Sequence, residues 1–227
     1  MARGGQRNGS RRDRRESGSD RPRRRPDLRA AAAPADVHAA STVLMAALER
    51  GDYAAAADAL DILAAAEPDN AALHYNRALA LRLSGRPRDG FDAARRARAL
   101  DPANGKAVFE VCACGLECGE PQASLEAGTA YLAVHPGDAD AALNSARAAL
   151  LLDRPEDALA LLGQVPANQL SDDHRLCRGE ALRDLSRFDE AECAWAHAGS
   201  ASAGLVLSLR TKGPRGRLAL NPARLSP

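Results

Sequence analysis

Between residues 53 and 66 the sequence YAAAADALDILAAA sets Ala56, Leu60 and Leu63 at three- and four-residue intervals, the period of one apolar helix face. The same spacing returns near the other end of the chain at Ala191, Trp195 and Ala198. Helical patterning begins near residue 37 and is interrupted at regular places by turn-forming residues. Gly51, Gly85 and Gly119 stand 34 residues apart, Asp153 is the next position in step, and Ser186 follows after 33. Pro87, Pro121 and Pro155 recur two residues after those turns, where Tyr53 and Phe188 stand in the first and last copies. A second proline series, Pro68, Pro102 and Pro136, keeps the same 34-residue interval.

Two proline series and a glycine series with one period are the mark of a repeated supersecondary unit. The chemistry of the punctuation says which unit. A glycine ends one helix by entering the left-handed region, and a proline shortly afterwards is tolerated in the first turn of the next helix. That second helix runs until the following proline closes it, as 53–66 does before Pro68. Each copy is therefore expected to be a helical hairpin. Ala56 is expected where the two helices approach closely and Leu60 and Leu63 in the core, while Ala55 and Ala57 carry no requirement beyond helix formation.

The first copy reads G-D-Y-x-x-A-x-x-x-L-x-x-L-x-x-x-x-P-D-N through Gly51, Tyr53, Ala56, Leu60, Leu63, Pro68, Asp69 and Asn70. The second supplies Ala78, Leu81, Gly85, Ala94, Ala97 and Pro102, the third Gly119, Tyr131 and Pro136, and the fifth Gly179, Leu182, Phe188, Ala191, Trp195 and Ala198. These units resemble tetratricopeptide repeats. The resemblance implies an all-α fold, an α-solenoid of about five helical hairpins over 37–70, 71–104, 105–138, 139–171 and 172–200. The apolar cluster Leu205, Val206, Leu207 and Leu209 makes 201–211 the expected capping helix. Residues 212–227 are expected to be a basic tail, and 1–36 a disordered Arg-rich arm.

The sequence departs from the family pattern in three ways. The first-helix aromatic is replaced by Ala40, His74, Val108, Ala142 and Arg175. Gly90 and Gly128 fall inside second helices, each about 1 kcal/mol less favourable than Ala, so units two and three are expected to be soft. Unit four lacks its closing proline in register, Pro166 coming early, so a bend is expected between units four and five.

Composition supports helical layers. Aromatic residues make up only 3% of the 227, so the core must rest on Ala and Leu contacts at short interhelical distance. The formal net charge of +1 conceals a segregation along the chain. Residues 1–29 carry eleven Arg against Asp13, Glu16, Asp20 and Asp27, a net +7; residues 210–227 carry +5 and no acid, leaving −11 between them. The first 29 residues hold almost nothing to bury, which is the composition of a disordered segment. No run of 18 apolar residues occurs, and Ala30 to Ala35 is short, interrupted by Pro34 and followed by Asp36, so neither a membrane span nor an export signal is expected. Five cysteines scattered through helical sequence do not form a disulfide framework, and a cytoplasmic location is the expectation.

The resemblance also implies a concave groove lined by first helices that holds a peptide or a partner's helix. Register places Tyr75, Leu79 and Arg82 of unit two there, with Phe109 and Leu116 of unit three, Leu143, Arg147 and Leu150 of unit four, and Leu176, Glu180 and Arg183 of unit five. Apolar side chains flanked by Arg suit an amphipathic or acidic-hydrophobic segment; the alternative is that some of them simply pack within the array. The carboxylate clamp known in the family is present at two positions of five. Asn76 and Lys106 match it, but Ser41, Met45 and Glu110 stand where basic and amide groups are needed.

Cys112, Cys114 and Cys118 are the most suggestive chemical cluster. On a helix Cys112 points about 120° or more away from the other two, and no further ligands follow at finger spacing, so small buried thiols are expected rather than a metal. His38, His74, His135, His174 and His197 are dispersed, and no phosphate loop, zincin motif or nucleophile elbow is found, so neither catalysis nor a cofactor is expected. The expected function is a non-enzymatic scaffold or adaptor for a protein partner. The alternative is an RNA- or ribosome-associated factor in which Arg11, Arg12, Arg14, Arg15, Arg23, Arg24 and Arg25 neutralise phosphates.

Overall fold

The computed structural model describes residues 34–198. Residues 1–33, the 201–211 segment and the tail lie outside that range, and residues 34–36, assigned to the disordered arm by sequence, are helical. Among the described residues there are helices and no strand. The order is α1 (Pro34–Arg50), α2 (Tyr53–Ala66), α3 (Ala71–Leu83), α4 (Pro87–Leu100), α5 (Gly105–Glu117), α6 (Pro121–Val134), α7 (Ala139–Leu151), α8 (Pro155–Leu162), α9 (Asp172–Asp184) and α10 (Phe188–Ala196). A 3₁₀ turn, Ala167–Gln169, lies between α8 and α9. The first helix opens at Pro34, three residues earlier than the patterning suggested, in the first-turn position that proline tolerates.

The 34-residue period is a period of backbone conformation. Gly51, Gly85 and Gly119 have φ of +66°, +77° and +80°, and the two residues in step with them that are not glycine, Asp153 and Ser186, have φ of +61° and +63°. The N–H of the next residue then reaches back over the helix end. Asp52, Arg86, Glu120, Arg154 and Arg187 donate to the carbonyls of Ala47, Leu81, Gly115, Ala149 and Leu182 at 2.7–2.9 Å, the long bond of a Schellman motif. Pro87, Pro121 and Pro155 open α4, α6 and α8 immediately afterwards. At the other turn of each unit the N-cap side chains take over. Asn70 accepts from the N–H of Ala72 and Leu73, Asn104 from Ala107 and Asp138 from Ala141, each cap contributing about 1 kcal/mol.

Successive helices pack as antiparallel hairpins, and α3, α5, α7 and α9 also touch one another, so first helices form one continuous layer and second helices the other. The core between them is alanine-rich. Ala47, Ala56, Ala78, Ala94, Ala127, Ala142 and Ala181 are buried together with Leu60, Leu81 and Trp195. Ala57, which sequence analysis left without a packing role, is buried as well. It joins the cluster formed with Leu60, Leu63 and Leu81.

Gly90 and Gly128 are not voids. A Cβ on Gly90 would stand 3.1 Å from both the Ala78 carbonyl oxygen and Cys114 Sγ, and one on Gly128 would stand 1.9 Å from Ser145 Oγ and 2.9 Å from Cys112 Sγ. The missing methyls let α4 and α6 approach their neighbours, and thiols and a hydroxyl occupy the space. Where softness was expected, the structure is closely packed.

Unit four is the irregular one. Its second helix, α8, has 8 residues against 14 in α6. The chain then turns through Pro166 before α9. His174 bridges this junction: its Nδ1 accepts from the Ser171 backbone N–H at 3.3 Å and its Nε2 donates to the Ala139 carbonyl at 3.0 Å. A buried imidazole thus ties the start of α9 to the start of α7.

Candidate functional site

The site follows from the layer of first helices. Period-34 spacing puts one row of side chains from α3, α5, α7 and α9 on that layer's outer surface, and the structure divides the expected residues into two sets. At the α5–α7–α9 end, Leu116, Arg147, Leu150, Glu180 and Arg183 come together around a cleft of about 440 Å³, joined by Leu151 and Asp184. Leu151 is 65% exposed there, a large apolar side chain facing water.

The other expected residues are already engaged. Arg82 donates from Nε and Nη2 to the two Glu110 oxygens at 2.8 and 3.1 Å, and its Nη1 lies 3.6 Å from Glu117. Glu110 is only 3% exposed, so this is a bidentate pair set into the layer. The hydrogen bond to Glu110 holds the Arg82 guanidinium still more firmly protonated than usual. Burial, and secondarily the Glu110 charge, push the pKa of the neighbouring Tyr75 phenol up. Tyr75 and Leu79 are half-buried. The Phe109 ring packs on Tyr131 with centroids 5.6 Å apart. Leu143 is 7% exposed and belongs to the core formed by Leu125, Ala146 and Leu161, because α7 is gripped by α6 and α8 at that level; it is no groove residue. Leu176 packs against Leu182 and Trp195, its carbonyl accepting the indole N–H at 3.0 Å.

Within the cleft the arginines are paired too. Arg147 lies 3.0 Å from Asp173, and Arg183 lies 2.9 Å from Asp184. Glu180 makes no hydrogen bond or ion pair among the described residues. Burial raises its carboxyl pKa, with Arg183 and Arg147 opposing and Asp184 adding to the rise. Sequence reasoning missed Leu151, Asp173 and Asp184. The repeat register holds the signal for Leu151, since Leu83, Glu117 and Leu151 are spaced by 34 and Leu83 is likewise exposed.

Residues 45–105 match the family model described as the tetratricopeptide repeat. That segment is built of tetratricopeptide repeats. Solved structures of such repeat arrays share the chain's fold at low identity. A MamA chain from Desulfovibrio magneticus RS-1 is 16% identical, with a TM-score of 0.65 over 74% of this chain and 96% of its own. A tetratricopeptide repeat protein from Parabacteroides merdae is 17% identical, with a TM-score of 0.65 over 78% of this chain and 73% of its own. YrrB, described as a tetratricopeptide protein with an unusual peptide-binding site, is 11% identical, with a TM-score of 0.64 over 76% of this chain and 90% of its own. No curated protein matches the sequence.

In this helical array the carboxylate clamp is further from reach than its sequence suggested. Asn76 and Lys106 are exposed, but Glu110, in step with Asn76 one unit on and one turn after Lys106, consumes Arg82. Cys112 and Cys114 are buried and Cys118 is half-buried. Burial pushes the Cys112 and Cys114 thiols up, and that of Cys177 to about 12, so none of the three is a thiolate near neutrality. Among the described residues no group of three or more His, Cys, Asp or Glu is placed to hold a metal ion, and no helix is long and apolar enough to cross a membrane. Arg11, Arg12, Arg14, Arg15, Arg23, Arg24 and Arg25 lie outside the described residues.

Proposed function

We propose that the chain is a non-enzymatic adaptor that holds a segment of a protein partner against the layer of first helices. The observation that carries this reading is the α5–α7–α9 cleft, where Leu151 stands exposed beside Leu116 and Leu150 with charged groups around them. An exposed apolar side chain rimmed by charge is the composition of a docking surface. The unusual peptide-binding site described for YrrB lends the reading support by analogy of fold.

Site-specific photo-crosslinking tests it. A crosslinker placed at Leu151 is expected to capture a defined segment of one partner, and the same group at Ala130, on the second-helix side, is expected not to. Capture of that partner from Ala130 with none from Leu151 would move the site to the opposite face.

A further inference from the structure

Sequence register suggested an amphipathic or acidic-hydrophobic segment, because Arg82, Arg147 and Arg183 flank apolar side chains in the expected groove. The ion pairs those arginines make argue against the acidic choice. Each of the three is neutralised by an acid of the chain itself: Arg82 by Glu110 and Glu117, Arg147 by Asp173, Arg183 by Asp184. The charged group left over in the cleft is the Glu180 carboxylate, half-buried, with no hydrogen bond or ion pair among the described residues. A carboxylate withdrawn from water that Arg183 and Arg147 influence without contacting is held less well than a paired one, and a cation supplied from outside would relieve it.

We propose that this cleft takes a peptide segment that sets leucine-sized side chains against Leu116, Leu150 and Leu151 and an Arg or Lys against Glu180. The inference rests on the adaptor reading and adds to it the chemistry of the occupant. Charge complementarity is its ground: counting Asp173 with the cleft, two arginines face three carboxylates, so an acidic segment would meet repulsion. Apolar contact supplies the affinity and the ion pair selects the sequence. The cleft between α6 and α8 is roomier, about 590 Å³, but offers no such demand. There Arg154 is held by Asp157, and Glu126 accepts from Gln122 at 2.7 Å.

Fluorescence anisotropy on the full chain tests the inference, using three labelled peptides, GSLALSLRKAGS and its counterparts with Gln-Gln or Glu-Glu in place of Arg-Lys. The basic peptide is expected to bind about tenfold more tightly than the neutral one, the gain of one charge-assisted hydrogen bond, and the acidic one more weakly still. Glu180→Gln is expected to erase the basic-over-neutral preference without changing neutral binding, and Leu151→Asp to weaken all three.

Tightest binding of the acidic peptide, or a basic preference that survives Glu180→Gln, overturns the charge assignment and leaves the adaptor reading standing. No binding by any peptide, or binding indifferent to Leu151→Asp, overturns both. If replacing Leu207 and Leu209 by Asp in the full chain tightens binding, the cleft is filled by the chain's own LVLSLRTK segment and the external partner is wrong.

Discussion

The indole of Trp195 lies so close to Gly179 that a Cβ at that glycine would stand 2.0 Å from Nε1, the atom that donates to the Leu176 carbonyl. The last hairpin, α9 with α10, closes on this contact. Gly179→Ala gains about 1 kcal/mol of helix propensity but drives a methyl into a fully buried ring, where overpacking costs about 1–3 kcal/mol and displacement of the ring breaks its hydrogen bond as well. A net loss of about 2 kcal/mol is expected in urea unfolding. Trp195 is the chain's single tryptophan, so its fluorescence reports this unit directly.

Gly128 and Ser145 form a second contact of this kind, between α6 and α7. Gly128→Ala alone is expected to lose about 2 kcal/mol, since its Cβ would fall 1.9 Å from Ser145 Oγ. Adding Ser145→Ala removes the clashing oxygen, whose bond is made to Ala141 O within α7. Recovery of about 1 kcal/mol or more in the double variant marks the coupling. Strictly additive losses would show that the two positions act separately.

Ser186 holds φ of +63° at a turn where three of the other four units place a glycine and the fourth Asp153. Left-handed backbone costs an ordinary residue about 1–2 kcal/mol, and glycine's extra freedom when unfolded returns about 0.5–1 of it. Ser186→Gly is therefore expected to stabilise by about 0.5 kcal/mol and Gly85→Ala, at φ of +77°, to destabilise by about 1. Thermal unfolding of both variants beside the parent chain measures the pair of opposite shifts.

The Arg82–Glu110 pair is expected to behave as a buried ion pair. Glu110→Ala leaves the guanidinium without its bidentate partner and is expected to cost about 2–3 kcal/mol, reduced from the fully buried range because Arg82 keeps some contact with water. Replacing both by Leu is expected to cost less than the single change. Chemical denaturation of the two single variants and the double variant gives the coupling.

Thiol chemistry has a defined order. Exposed Cys193 is expected to alkylate first at neutral pH, with Cys112, Cys114 and Cys177 protected until the array opens. The three buried thiols are held above their ordinary pKa by burial, so the folded state keeps protons that the unfolded state releases. Stability is therefore expected to be undisturbed below the ordinary thiol range and to fall as pH rises above about 9. Mass spectrometry of iodoacetamide-treated protein and unfolding curves at successive pH values check the two statements.

The hairpin order, the turn positions and the buried row of Ala56, Leu60, Leu63, Ala191, Trp195 and Ala198 were legible in the sequence, because they depend on local backbone preference and on the 3.6-residue period. Even Asp153 and Ser186 declared themselves by standing in step with glycines. Register also placed Leu116, Arg147, Leu150, Glu180 and Arg183 at the cleft. It did not foresee that Leu143 and Arg82 are engaged within the array, for a common reason. Whether a side chain at a groove position is free depends on what the next unit brings against it, and Arg82 is neutralised by Glu110 from 28 residues away. Periodicity places Cα atoms; it does not say which rotamers meet. Tertiary packing alone decided that the glycines inside α4 and α6 would be filled by thiols and a hydroxyl. It also decided that the arginines would be spent internally, leaving Glu180 as the carboxylate in the cleft with no hydrogen bond or ion pair among the described residues.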